Sequence, residues 1–420
     1  MRGADMERPL LGENLTVARL REQLIDLMAV EQVEVQHGPD RVIAFYGPLY
    51  ADTDLVFDRA SERFNRLGYT AMLSKVDGRT YRLIAVRGVA RPHPTRLGLH
   101  ILLFVLTFLS AMLAGLSPAV DLEDPRWYLS GLPFALALMG ILLAHELAHY
   151  FVARRYGSPV SLPYFVPMPM SILGTMGAVI FQRAPMRDRK ALFDIGIAGP
   201  LAGLAVAIPL LIIGLLFTEV GRPAEMMNLD SVQQRLAVQC QNPQGVRAFF
   251  CTAFSGQETV VFQEGNSLIY LAAKLVIKGR ILPDANGEDV LLSYPPSPGG
   301  PIAFAAWAGL LVTALNLLPI GQLDGGHVAY ALLGWRAWTL SLITIGLLVA
   351  LGGYLFLIGN PAWPTWIIWA VLALLLGPRH PPPLNEASPL GPGRTALGIF
   401  LLLVFVATFV PVPLVVASGL

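Results

Sequence analysis

The chain has 420 residues, of which 54% are hydrophobic and only 14% are charged, and its mean hydropathy is +0.57. A soluble domain usually carries roughly 25% charged residues, so the composition favours a membrane protein. The net charge of +1 gives no electrostatic case for a nucleic-acid partner, and the two cysteines are too few for a disulfide scaffold or a cysteine-built zinc site.

The first 95 residues contain frequent acids and bases, as a soluble protein does. Residues 15–35 and the stretch TDLVFDRASERFNRLG have helical patterns, RVIAFYGPL has a strand pattern, and a hairpin is expected around Asp77-Gly78. We therefore expect residues 1–95 to form a small α+β domain. The chain begins with acids and no apolar run, so neither a secretory signal nor a transit peptide is expected. A plain folded appendage and a regulatory or substrate-sensing role both stay open.

Seven later runs are apolar enough to cross a membrane, which predicts a polytopic α-helical protein of about seven spans. Their expected ranges are 99–117, 132–153, 193–217, 301–319, 337–358, 363–377 and 395–417. Basic residues dominate the connection 154–190, and acidic residues dominate the connection 118–131. Positive charge marks the cytoplasmic side, so the N-terminus is expected in the cytoplasm and residues 218–300 outside.

The second apolar run contains the sequence HELAH. On a helix, His145 and His149 lie one turn apart on one face, where two imidazoles can hold one zinc ion. Glu146 then lies beside the metal and can accept a proton from a bound water. Ionisable residues at membrane depth are costly and usually functional, which strengthens an otherwise common motif.

Residues 160–183 are apolar, but Pro163, Pro167 and Pro169 make a continuous helix unfavourable. Non-helical backbone survives at membrane depth only against protein or water. A re-entrant β-hairpin or loop beside the metal site fits this segment, and a loop on the membrane surface is the alternative.

The outer segment, residues 218–300, contains the amphipathic stretch GNSLIYLAAKLVIKGRI. This stretch is expected as a helix, either lying on the membrane or packed in a small outer domain. Cys240 and Cys251 both fall in the outer segment, where an oxidising compartment permits a bridge, and we expect a disulfide between them.

Within the apolar part, outside its connections and the outer segment, the acids are Glu146, Asp194 and Asp324. Asp194 lies at the mouth of a span, where its charge reaches water. Asp324, in NLLPIGQLDGGH, lies at the cytoplasmic end of its span, as His145 and His149 do. We therefore expect Asp324 as the third zinc ligand, with a fourth position left for water.

Five other residues near Asp324 or at span edges also carry expectations. Gly325-Gly326 predicts a sharp backbone turn that directs the Asp324 carboxylate inward. Asn316 is expected either as an interhelical hydrogen-bond donor or as support for a substrate carbonyl or oxyanion. His327 and His100 lie at span edges and are expected at the membrane interface, not among the ligands.

These motifs resemble the site-2 protease family of intramembrane zinc metalloproteases. The HELAH motif, the NLLPIGQLDGG motif and the stretches LGTMGAVI and IAGPLAGL carry the resemblance, over roughly residues 130–335. It implies a three-span catalytic core within residues 132–335, preceded by a span and outer loop at 96–131 and followed by further spans at 336–420. The α+β domain, without an evident PDZ or CBS module, is similar to the cyanobacterial and plastid branch or to related bacterial proteins.

The resemblance and the chemistry together predict a zinc metalloendopeptidase that cleaves transmembrane segments of membrane proteins, with one zinc ion per chain and Glu146 as general base. A substrate helix must unwind before hydrolysis, and an edge around Gly174 and Gly177 is expected to pair with it. The expected partners are transmembrane substrates and the lipid bilayer, in a bacterial plasma membrane with the site towards the cytoplasm. The sequence leaves the oligomeric state open.

Two other function classes would leave different marks in the sequence. A catalytically idle relative that binds membrane proteins would have lost Glu146 or a ligand, and none is lost. A transporter would show repeated halves, and none is visible.

Overall fold

The computed structural model describes residues 7–36, 42–89, 96–116, 126–222, 261–292 and 299–417. The expected disulfide between Cys240 and Cys251 lies outside the described residues.

The N-terminal region contains an antiparallel sheet with a helix packed on it. Its elements in chain order are α1 (Glu7–Glu22), β1 (Gln32–Gln36), β2 (Val42–Gly47), α2 (Thr53–Arg66), β3 (Tyr69–Asp77) and β4 (Thr80–Arg87). The strand order is β1-β2-β4-β3, and every neighbouring pair is antiparallel. The alternating apolar residues of the strands and one face of α2 bury Phe45, Phe57, Phe64 and Leu83. The hairpin expected around Asp77-Gly78 is confirmed. The helix expected over residues 15–35 is wrong in its bounds, since α1 ends at Glu22 and residues 32–36 form β1, which pairs with β2.

The remainder of the described chain is mainly helical. Its helices are α3 (Leu97–Ala114), α4 (Leu132–Arg155), α5 (Arg189–Leu216), α6 (Leu268–Lys278), α7 (Gly300–Asn316), α8 (Asp324–Leu333), α9 (Ala337–Leu357), α10 (Trp363–Leu376) and α11 (Pro392–Thr408). Its strands are β5 (Tyr164–Pro167), β6 (Thr175–Val179), β7 (Val220–Gly221), β8 (Val261–Glu264), β9 (Asp289–Val290) and β10 (Leu414–Ala417).

Four helical stretches in the described chain are long and apolar enough to cross a membrane: Leu97–Ala114, Leu129–Arg155, Arg189–Leu216 and Asp324–Leu357. Three shorter apolar helices are α7, α10 and α11, so a total of seven spans stays a proposal. The last helix was expected to reach residue 417, which is wrong. It ends at Thr408, because Pro411 and Pro413 prevent its continuation, and the chain then forms β10.

Helices α4, α5 and α7 form the centre of the molecule. Small residues let them approach closely: a methyl group on Gly309 of α7 would meet Ile141 of α4, and one on Gly214 of α5 would meet the backbone of Ala303 of α7. Around these contacts Phe134, Leu138 and Trp307 are almost fully buried. This packing fixes the relative positions of the two sequence motifs, since α4 carries HELAH and α7 leads into Asp324.

The segment 160–183 is an antiparallel hairpin of β5 and β6. Strand β5 packs mainly on α3, whereas β6 also contacts α4. Ser110 of α3 donates a hydrogen bond of 2.5 Å from Oγ to the carbonyl of Gly174 in the hairpin turn. The hairpin expected from the proline pattern is confirmed, and its depth in a membrane stays a proposal.

A connection that we call the strap, residues 377–388, joins the N-terminal region to the membrane helices. The Leu73 amide of β3 donates to the Leu384 carbonyl at 2.7 Å, and the Leu384 amide donates to the Met186 carbonyl at 2.8 Å. Two ion pairs also join α2 directly to the residues around the start of α5: Lys190 with Asp54 and Arg187 with Asp58, both at 2.7 Å. The strap therefore lies as an extra strand between the sheet and the start of α5.

The described part of the outer segment is held by two short sheets, β7 with β9 and β8 with β10. The expected amphipathic helix is confirmed as α6. Lys274 on α6 is fully buried and forms a 2.7 Å ion pair with Asp289, and Tyr270 donates its hydroxyl to Glu264 at 2.9 Å. Removal of either partner of a buried ion pair leaves an uncompensated charge, which is strongly destabilising.

Lys274, Asp289, Tyr270 and Glu264 form a buried cluster that we call the outer cluster. We expect its stability to fall as pH rises. Burial raises the pKa of the Glu264 carboxyl to about 7, and the nearby charge of Asp289 adds to the shift. An unfolded glutamate loses its proton near pH 4.5. Between these values the folded state holds a proton that the unfolded state has lost, so the free energy of unfolding falls with rising pH.

Hydrogen exchange of the α6 amides, corrected for intrinsic rates, measures this effect. Protection should be lower at about pH 8 than at about pH 5. The neutral variant Glu264→Gln should show the same protection at both pH values. Equal protection of the parent protein at the two pH values would contradict the expectation.

Candidate metal centre

Helix α4 brings two imidazoles together at the centre of the molecule. His145 and His149 are four residues apart, so their side chains point from one face of the helix. They are 4% and 5% exposed, and their Nε2 atoms are 3.1 Å apart. The expected spacing of the motif is therefore realised in a buried position.

The third group comes from the first residue of α8. Asp324 Oδ2 lies 3.1 Å from His145 Nε2, and Asp324 Oδ1 lies 3.2 Å from His149 Nε2. The three side chains form a cluster of metal-ligand type among the described residues. We call His145, His149 and Asp324 the triad.

The expected reason for the position of Asp324 is wrong. Gly325 and Gly326 do not form a turn of their own but lie in the first turn of α8. A methyl group on Gly325 would come within 2.0 Å of the Leu317 carbonyl, and one on Gly326 within 2.2 Å of the Gly321 carbonyl. The glycines therefore allow the start of α8 to pack on the loop after α7, and this close packing directs the carboxylate to the imidazoles.

The donor set fits a zinc ion. The His149 Nδ1–H donates to the carbonyl of Ile195 at 2.7 Å, which leaves Nε2 as an electron-pair donor facing the carboxylate. Three such donors lie 3.1–3.2 Å apart. A tetrahedral ion with bonds of about 2.0–2.1 Å places its ligand atoms roughly 3.3 Å apart. A proton bridges only two heavy atoms, whereas a metal ion bonds all three.

Helix α5 supports the triad in two ways that sequence reasoning missed. The Ile195 carbonyl fixes the tautomer and the ring orientation of His149, as outer partners of metal-bound histidines do. Gly199, one turn later, faces the imidazoles: its Cβ, if present, would lie 2.0 Å from His149 Nε2 and 2.7 Å from His145 Nε2. The only signal in the sequence was the small-residue stretch IAGPLAGL, which does not say which face meets α4.

The two polar residues expected beside the metal are both at the site. Glu146 follows His145 on α4 and is 5% exposed. The Asn316 Nδ2 atom, at the end of α7, lies 3.4 Å from His145 Nε2. The Asn316 amide therefore lies beside the triad and contacts a residue of a neighbouring helix, so both of its expected roles stay predictions.

The two glycines of the hairpin differ. Gly174 has φ +71° and packs on α3, where a Cβ would come within 2.4 Å of the Ser110 carbonyl. Its close approach in the structure is to α3, and its expected role in substrate pairing stays a prediction. Gly177 has φ +100° with nothing within 4 Å of a Cβ position, so its surroundings are open.

The other candidates are not part of the triad cluster. Asp194 forms an ion pair of 2.7 Å with Arg394 at the start of α11. His100 is buried and donates from Nδ1 to the carbonyl of Pro163 at 3.0 Å. His327 lies 2.6 Å from His380 of the strap. His100 and His327 are therefore held by protein contacts and are not part of the triad, and their position at the membrane interface stays a prediction.

Comparison with protein families matches residues 133–358 to Peptidase family M50. Among curated proteins, the chain is similar to "Probable zinc metalloprotease EGY1, chloroplastic" of Oryza sativa subsp. japonica, with 28% identity over 77% of this chain and 52% of that protein. It is also similar to the protein of the same description from Arabidopsis thaliana, with 29% identity over 77% of this chain and 55% of that protein.

A further relative is "Probable zinc metalloprotease EGY2, chloroplastic" of Oryza sativa subsp. indica, with 31% identity over 60% of this chain and 37% of that protein. The chain spans about half the length of the EGY1 relatives that it matches. No solved structure matches the chain.

Proposed function

This chain belongs to Peptidase family M50, as its site-2 protease motifs predicted, and we propose that it is a zinc metalloendopeptidase that cleaves transmembrane segments of other membrane proteins. The observation that carries the proposal is the convergence of His145, His149 and Asp324 next to Glu146 at the centre of apolar helices. The similarity to relatives described as probable zinc metalloproteases supports the same chemistry.

The triad holds one zinc ion, and when bound the zinc supplies a Lewis acid that polarises a peptide carbonyl and makes water a stronger acid. His149 keeps its orientation through Ile195, so that Nε2 stays available. Asp324 offers a negative charge that stabilises a cation between the two neutral imidazoles. The small surface of Gly199 leaves room beside the rings.

Glu146 acts as the general base. Its burial on α4, directly after His145, supports this role, since a carboxylate there can take the proton of an attacking water. It then returns the proton to the leaving amine of the cut peptide bond. The Asn316 amide donates to the carbonyl oxygen as negative charge develops there.

The substrate has to be extended at the cut. A helical peptide bond is shielded by its own hydrogen bonds, and each unpaired backbone group exposed in an apolar place costs several kcal/mol. Pairing of the unwound segment with the edge of β6 offsets much of this cost, as in β-strand addition. The contact of β6 with α4 and the open surroundings of Gly177 support this proposal.

We expect Met176→Pro to lower cleavage of a helical substrate by roughly 10-fold, because proline removes one donor from β6. The Met176 side chain is 70% exposed, so its loss has little effect on packing. Bound zinc and thermal stability should stay near the parent values. Met176→Ala is the matched control and should cleave normally, and equal activity of the two variants would leave the strand-edge proposal unsupported.

The proposal extends to the whole chain. Residues 1–95 form a cytosolic domain, 96–131 hold the first span and outer loop, 132–335 hold the catalytic core, and 336–420 hold the C-terminal spans. The protein lies in a bacterial plasma membrane, with its N-terminus and site towards the cytoplasm. The docking of the strap on β3, together with the pairing of β8 with β10 at the other end of α11, supports this two-sided arrangement.

Substrate trapping tests the function directly. Glu146→Gln protein in native membranes should retain membrane-protein substrates, and the parent protein should cut the same proteins inside apolar spans. An idle binding factor would retain the partners in both forms without fragments. Fragments that form equally with Glu146→Gln protein, or cuts only in water-exposed loops, would contradict the proposal.

A further inference from the structure

A cavity of about 660 Å³ lies beside the metal centre and has no part in the chemistry described above. It is bordered by Leu323, the residue before the ligand Asp324, and by His327, one turn after it. Leu192 of α5, one turn before the Ile195 carbonyl that holds His149, borders it as well. The cavity therefore adjoins the triad from the side of α8 and α5.

One wall is the chain that continues from β6. Residues 179–183 line the cavity, and they extend the hairpin ladder. The Phe181 amide and carbonyl both bond to Ser161, and the Arg183 amide donates to the Pro159 carbonyl. Because the backbone groups of successive strand residues point to opposite edges, those of Ile180 and Gln182 point away from this ladder.

Besides its backbone groups, Gln182 has a side-chain amide nitrogen without a hydrogen-bond partner among the described residues. This Nε2 atom is buried, although the side chain belongs to the cavity wall. A buried amide donor without a partner costs free energy, so such groups in folded proteins call for an explanation. Rotation about the broad last torsion of glutamine brings this donor to a ligand in the cavity.

The opposite wall is fixed. The strap packs so closely that a Cβ on Gly321 would lie 2.3 Å from the Gly377 carbonyl. The His380 Nδ1–H donates to the Pro381 carbonyl at 2.5 Å, which leaves its Nε2 to accept from the His327 Nδ1–H at 2.6 Å. The cavity is therefore formed in advance, and its interior is mainly apolar through residues such as Leu318, Trp369 and Ala373.

From these features we infer that the cavity is the specificity pocket for one large apolar side chain next to the cut, and that Gln182 positions the substrate by donating to its backbone carbonyl. The inference rests on the proposed function. An extended segment paired along β6 reaches residues 180–182 and presents alternate side chains to the cavity. Because β6 also contacts α4, which carries His145 and His149, we expect the accepted residue to lie close to the scissile bond.

Narrowing the pocket tests this assignment. The substrate is a synthetic transmembrane peptide of about 20 apolar residues, whose cut is mapped first and whose flanking residues are then changed one at a time. Ala373→Phe should lower the cleavage ratio of leucine over alanine at one flanking position by roughly 10-fold or more. Ala184→Leu narrows the same cavity from the other wall. It replaces Ala373→Phe in the same measurement if Ala373→Phe does not fold.

Leu375→Phe is the matched control, since Leu375 lies two residues later on α10 and is 79% exposed. It should leave the ratio unchanged. A folded, active Ala373→Phe or Ala184→Leu protein with the parent ratio at every flanking position would overturn the pocket assignment.

Gln182→Met tests the positioning role, because methionine keeps the length of the side chain and removes its amide. Cleavage should fall roughly five- to tenfold through KM, while thermal stability stays equal or rises with the loss of a buried unpaired donor. A purely structural glutamine would give the reverse, with lower stability and an unchanged KM. Unchanged KM would overturn the role of Gln182.

Binding without hydrolysis separates this inference from the proposed function. A photo-cross-linker at position 373 of the Glu146→Gln protein should attach to the peptide at one flanking position. Attachment without any cleavage by the parent protein would refute the protease and keep the pocket. Cleavage by the parent without attachment at a defined position would refute the pocket and keep the protease.

Discussion

Replacing Gly199 by alanine should strongly weaken zinc binding, although the change replaces none of the proposed metal ligands. The added methyl carbon would lie 2.0 Å from His149 Nε2 and 2.7 Å from His145 Nε2, against two of the atoms that would hold the ion. The rings have no room to retreat, because His149 is held at Ile195 and both rings are buried. We expect zinc affinity and cleavage to fall by roughly 100-fold or more, at the upper end of effects seen for outer partners of a metal.

A graded series of glycines makes this prediction sharp. A Cβ on Gly140 of α4 meets nothing within 4 Å, whereas one on Gly203 of α5 lies 3.3 Å from His145 Nδ1. Gly140→Ala should bind zinc normally and gain up to about 1 kcal/mol of stability from helix propensity. The zinc affinity of Gly203→Ala should lie between those of Gly199→Ala and Gly140→Ala. Metal analysis of the three purified variants gives the order, and normal zinc content in Gly199→Ala would refute the described geometry.

The second large effect separates metal binding from chemistry. Glu146→Gln should keep one zinc per chain, because it leaves the triad intact, and lose about 10²–10⁴-fold in cleavage rate with the general base. Asp324→Ala, His145→Ala and His149→Ala should lose the zinc itself, and cleavage with it.

Zinc content and cleavage measured on the same preparations decide between these roles. Zinc held as tightly by Asp324→Ala as by the parent protein would show that the third ligand is wrong. Loss of zinc in Glu146→Gln would instead place Glu146 among the ligands.

The sequence predicted the parts of the site that depend on local periodicity. The four-residue spacing of His145 and His149 fixes their common face once the segment is helical, and apolar runs predict the helices closely. The prolines of segment 160–183 correctly indicated a non-helical segment, which is the hairpin of β5 and β6. Asp324 was found by elimination, since few acids occur in the apolar part of the chain.

Features set by packing between distant elements could not be predicted. Which face of α5 crosses the imidazoles depends on its rotation against α4, so Gly199 and the Ile195 carbonyl carried no local signal. The role given to Gly325-Gly326 was wrong for the same reason, because their neighbours are backbone carbonyls of a loop that sequence alone does not place. The strap has the proline-rich composition of an ordinary connection, yet it joins the N-terminal sheet to α5.

The position of the cut tests the central claim most directly. The protein is reconstituted with zinc in lipid vesicles that contain a transmembrane peptide, and the products are mapped by mass spectrometry. The account predicts cleavage inside the apolar segment, lost on chelation, restored by zinc and absent with Glu146→Gln protein. Products cut only outside the apolar segment, or formed equally by the Glu146→Gln protein, would contradict an intramembrane zinc protease built on His145, His149 and Asp324.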